Sequence, residues 1–136
     1  MMLMKNLLVI LIILTSGASA QDEINLKNEL KIIENISKEL RKELWQSGHI
    51  DVDSSSTLVD QNFLHNYTSN SQNQSYLVPL TEQEISRLYQ CLFNSDCTLY
   101  HIRLTSSYHS GWGEESAFVL LKRHVHKLIR HVVYSE

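Results

Sequence analysis

The sequence predicts a mainly α fold: a small irregular bundle of three to four helices with one short-loop disulfide. Three observations carry this expectation. Apolar residues repeat at helical spacing between 23 and 46. A helix start is written out at Thr81. A third apolar stripe, rich in cations, runs through 114–134. The expected helices are about 23–46, 57–65, 81–93 and 114–134.

The first twenty residues, MMLMKNLLVILIILTSGASA, read as a secretory signal peptide. Lys5 supplies the positive start, Leu7–Leu14 the apolar run, and Ala18-Ser19-Ala20 the small residues that a signal peptidase reads. The run is short of the roughly 20 apolar residues that a spanning helix needs. Cleavage after Ala20 leaves 21–136 as a single secreted helical domain. Without Lys5 the chain has 11 basic and 15 acidic side chains, so nucleic acid is not an expected partner.

Export gives meaning to two further features. Asn35-Ile36-Ser37, Asn66-Tyr67-Thr68 and Asn73-Gln74-Ser75 are glycosylation sequons. Asn66 and Asn73 fall in a polar loop expected at 66–76, and Asn35 lies opposite the apolar seam of its helix. Cys91 and Cys97 are the only cysteines, and in an oxidising compartment they read as one disulfide. A loop this tight pins a turn rather than contributing much chain entropy.

Along the chain, Leu26, Leu30, Ile33, Leu40 and Leu44 form the seam of the first helix, with Ser37 in the missing position. Ile32 and Ile36 widen it, and Gly48 ends the helix. His49, Asp51 and Asp53 alternate and could share a face toward a cation, but three ligands without a fourth are weak evidence, and a polar turn over 49–56 with local side-chain hydrogen bonds is the expected reading. In 57–65, Leu58, Val59, Phe63 and Leu64 are expected to face inward. At Thr81 the capping box with Glu84 is joined by a staple between Leu80 and Ile85. That helix should stop near Phe93.

Residues 98–109 alternate as a strand would, through Tyr100, Ile102 and Leu104. No second strong strand is evident to pair with them, so helix or irregular structure is favoured. Ser110–Gly113 reads as a turn. Phe118, Leu121, Val125, Leu128 and Val132 then suggest a last helix, with Lys122, Arg123, Lys127 and Arg130 on its remaining surface.

The chemistry is sparse. There is no nucleophile elbow, P-loop or zinc-protease motif, and no cofactor or metal is implied. His124, His126 and His131 lack the four-residue spacing that lets two imidazoles on one helix meet one ion; their protonation would instead add charge below about pH 6.5. Lys122-Arg123 is also a dibasic pair of the kind processing proteases cut. Candidate interaction residues are Trp112, Lys122, Arg123, Lys127 and Arg130. The expected function is a secreted, glycosylated, non-enzymatic binding protein, cytokine-like or another extracellular ligand, acting on an extracellular protein or cell-surface receptor. The alternative is a membrane-active cationic defence protein that lays a helix over 118–134 on an anionic membrane surface.

Overall fold

In the computed structural model, the structure describes residues 20–72, 80–108, 111–123 and 125–135. Residues 1–19 of the expected signal peptide, the Asn73 sequon and His124 lie outside them, as does the side chain of His131. Three helices and a four-stranded antiparallel sheet are formed among the described residues. The mainly α bundle is therefore corrected to a mixed α/β fold.

Helix α1 spans Ala20–Gln46. Residues up to Ile36 group as one compact unit and Ser37–Glu136 as a second. Within α1, Ile33, Ile36, Ser37 and Leu40 are buried, and Asn35 is exposed, which follows the seam. Gly48, at φ +90°, ends the helix. His49 N–H donates to the Leu44 carbonyl and Gly48 N–H to that of Trp45, both at 3.0 Å. This is the left-handed stop that glycine permits without Cβ strain.

Strand β1, Ile50–Leu58, replaces the polar turn. A bulge between Ile50 and Asp53 includes Asp51 at φ +52°. Helix α2 runs from Gln61 to Gln72. It is started by Asp60, whose carboxylate accepts from Phe63 N–H at 2.7 Å. Leu58 is thus a strand residue, and the polar segment expected as a loop from 66 is helical as far as Gln72. Thr68 Oγ1 returns its hydrogen bond to the Leu64 carbonyl at 2.8 Å, so this polar side chain is satisfied inside the helix.

Helix α3, Glu82–Phe93, begins with the full capping box, each of Thr81 and Glu84 bonding the other's backbone N–H. The Cys91–Cys97 disulfide forms, with Cα atoms 5.1 Å apart. It pins the turn from α3 into β2, where Asn94 N–H donates to Cys91 C=O and Cys97 N–H to Asn94 C=O.

Strands β2 (Cys97–Tyr108), β3 (Gly111–Lys122) and β4 (Val125–Ser135) form a meander, giving the order β1-β2-β3-β4. Residues 98–109 are therefore strand through Tyr108, paired on both sides. The partners are the two segments that the sequence reading assigned to a turn and a helix. The last helix is corrected to the β3–β4 hairpin, and with it goes the amphipathic helix at 118–134. Ser116, Ala117, Phe118 and Val119 are all buried, because β3 is central and covered on both faces. Val119, Val125, Ile129, Val132 and Val133 are β-branched, which suits a pleated surface better than a helix. Lys122 pairs with Val125, so the chain turns within two residues, and Arg123 takes φ +59°.

Strand alternation and register place Leu99, His101, Ser116, Phe118, Leu120, Lys127 and Ile129 on one face. Helices α2 and α3 pack there, closing a core of Val59, Leu64, Leu80, Leu88, Cys91, Leu99, Phe118 and Ile129. On the opposite face, the end of α1 is tied to the sheet by Arg41 to Ser54 and by Glu43 to Arg130. No described helix is long and apolar enough to cross a membrane.

Candidate functional site

Two places gather chemistry, both on the α2/α3 side of the sheet. The first is buried. Nε2 of His101 lies 2.9 Å from Ser116 Oγ, and both residues are buried. The Tyr67 hydroxyl also bonds Ser116. The imidazole sits among the rings of Phe63, Tyr67 and Phe118, with centroids 4.8–5.2 Å away. Burial pushes the Tyr67 phenol up to about 12, against the Ser116 hydrogen bond, and the charge of Glu114 adds to the rise. Glu114 itself pairs with Arg103 at 2.7 Å, and that hydrogen bond raises the guanidinium's pKa. A serine and a histidine in contact suggest a nucleophile and base. Here the hydroxyl is fully enclosed, so the pair satisfies polar groups inside the core.

The second place is open. A groove of about 710 Å³ lies between the C-terminal end of α3, the disulfide turn and the closed end of the β3–β4 hairpin. Its floor includes Cys91, Cys97 and Leu120, and Val125 stands exposed beside it. Arg87 comes from α3, Lys122 from the end of β3, Arg123 from the turn and Lys127 from β4. The same lining holds one acid, Asp96.

The local folding explains this gathering. Lys122 and Lys127 are on the same face because hairpin register sets Lys122 opposite Val125 and Leu120 opposite Lys127. Cys97 stands opposite Lys122, so the disulfide carries the end of α3 to the same place. All four cations are exposed. Among the described residues none of them is in an ion pair. The C-terminal end of α3 also points here, with no basic residue in its own last turn. Its dipole offers the equivalent of about half a negative charge, too little to balance four cations.

Three of the five candidate interaction residues, Lys122, Arg123 and Lys127, therefore meet in one groove. Arg130 does not. It bonds Glu115 at 2.6 Å and Glu43 at 3.3 Å. Burial works against its charge, but the two carboxylates outweigh this and its pKa is raised. Trp112 does not either. It is exposed at the far end of β3, ten residues from Lys122 or about 33 Å along an extended strand.

Arg87 was missed, since on the sequence it is one cation on the outside of a helix. The disulfide at Cys91, one turn further on, was the signal that could have found it. The His49, Asp51 and Asp53 trio is not assembled: His49 Nδ1 bonds Ser106 Oγ at 2.8 Å, and the bulge breaks the alternation. No metal-binding group of three such side chains occurs among the described residues. Asn35 and Asn66 are both exposed on helices.

No protein-family model matches the chain, and no curated protein or solved structure matches it.

Proposed function

We propose that this chain is a secreted, glycosylated, non-enzymatic binding protein that engages an acidic surface of an extracellular protein or cell-surface receptor through the groove at the hairpin end. The observation that carries this reading is the gathering of Arg87, Lys122, Arg123 and Lys127 around one groove with no ion-pair partner among the described residues. On the sheet, Arg103 is matched with Glu114 and Arg130 with Glu115 and Glu43, and the cations of α1 are interspersed with acids along that helix. The chain is acidic overall, so a general affinity for anions is not expected. An anionic partner would be drawn to this patch, where four cations stand around a groove with one acid.

The signal-peptide pattern and the three sequons support the extracellular setting. The test is binding of poly-L-glutamate by the mature glycosylated protein, compared with a Lys122→Glu/Lys127→Glu variant. The reading expects a loss of about tenfold, the size of one to two kcal/mol of charge-assisted contacts. Unchanged affinity would refute it.

A further inference from the structure

Resting on that reading, we infer that the partner's acidic segment binds as an extended strand, added to the free edge of β4 beside the groove. The sheet order leaves two edges, β1 and β4. They are not equivalent. β1 is blunted by its bulge, with Asp51 in left-handed geometry, and it carries Asp51 and Asp53 without a cation. β4 runs eleven residues, Val125–Ser135; its one register shift lies at Val133, away from the groove, so Val125–Val132 is regular. Among the described residues its backbone bonds only within the β3–β4 ladder. Alternate N–H and C=O groups along it therefore point outward, as an edge strand's do.

The side chains beside this edge select the occupant. On the groove face stand Val125 and Lys127, next to Lys122 and Arg123. On the other face Leu128 is 38% exposed. A strand laid along β4 would present alternate residues to these two faces. Acids on one side would meet the groove cations, and apolar residues on the other would meet Leu128. Edge hydrogen bonds supply affinity and alternate side chains supply selectivity, the division of labour in strand addition. A second copy fits less well. Antiparallel β4–β4 pairing sets either Lys127 or Arg130 against its own counterpart in the registers centred on those residues, and like charges directly across strands repel. The second copy's β1 has the right charge, but its bulge interrupts a continuous ladder.

The probe is the peptide acetyl-(Val-Glu)4-amide, with acetyl-(Pro-Glu)4-amide as a control of equal charge that lacks alternate N–H donors. A heparin-derived oligosaccharide tests a polyanion without peptide backbone. Binding is measured together with residue-resolved amide exchange on β4 in the mature protein. The expected result is saturable binding of the Val-Glu peptide, at least tenfold slower exchange at alternate β4 amides, and at least tenfold weaker binding of the Pro-Glu peptide. Equal binding of the two peptides, dependent on Lys122 and Lys127 but with unchanged β4 exchange, overturns the strand inference and leaves the groove reading standing. Binding of the oligosaccharide alone overturns both, because the groove would then take a polyanion and not an acidic protein segment. No binding of any probe overturns both. Self-association of the free protein, with outward β4 amides already protected, also overturns the inference, because the edge is then taken by a second copy.

Discussion

Arg130 on β4 places its guanidinium 2.6 Å from Glu115 on β3 and 3.3 Å from Glu43 on α1. One cation thus joins two neighbouring strands to the end of the first helix. Arg130→Met should cost about 1 kcal/mol, since the pair is only partly screened from water. The loss should shrink in 1 M salt, where the screening length is about 3 Å. Urea denaturation at two salt concentrations reads both effects.

Ser116 is the shared partner of His101 and Tyr67 inside the core. Ser116→Ala leaves an imidazole nitrogen and a phenol with one fewer partner in a site closed to water. The expected cost is about 1–3 kcal/mol, seen as a lower denaturation midpoint at constant slope. A neutral result would mean that the two rings find other partners.

Tyr67 ionises at about 12 in the folded chain, above its ordinary value of 10.0. Folding therefore favours the neutral phenol. That contribution is fully present below pH 10 and is lost as pH rises toward about 12. The linked free energy is about 3 kcal/mol. Stability profiles of the wild type and Tyr67→Phe should converge or cross over this window, because the variant has no phenol to ionise. Parallel profiles would contradict the assignment.

Gly48 holds φ +90° with nothing within 4 Å of the position a Cβ would take. Gly48→Ala therefore meets no obstacle and suffers only backbone strain, about 1–2 kcal/mol. A thermal melt should show the loss. Asn, which tolerates left-handed geometry better, should recover part of it.

The helices were legible where local chemistry specifies them. Thr81 and Glu84 cap α3 through their own side chains, and the seam through Leu40 describes α1 without reference to any other element. The sheet was not legible, because its signals are relational. Tyr100, Ile102 and Leu104 alternate as a strand, but β2 became credible only once its partners were known. One partner, β1, is written in serines and aspartates. The other, β3, is buried on both faces, and four consecutive enclosed residues read as part of a helical stripe. The Lys122–Val125 turn carries neither glycine nor the Asn-Gly pair that announces a tight hairpin.

The candidate site was partly legible for the same reason. Lys122, Arg123 and Lys127 were visible as a cationic cluster close in sequence. Arg87 joins them only through the Cys91–Cys97 link, and Arg130 leaves them only through Glu43 and Glu115, which are distant or on another strand. The cations of the groove are set by hairpin register, whereas the sequence reading had placed them around a helix.

The measurement that bears most directly on the groove is the affinity of the mature protein for poly-L-glutamate, in the wild type and two charge-matched double variants. One is Lys122→Glu/Lys127→Glu in the groove. The other is Lys38→Glu/Lys42→Glu on α1, where both lysines are exposed. The account predicts about a tenfold loss for the groove variant and less than about twofold for the helix variant, in buffer near 0.15 M salt where charges beyond about 8 Å are screened. Equal losses in the two variants would contradict it, because binding would then follow net charge rather than the groove.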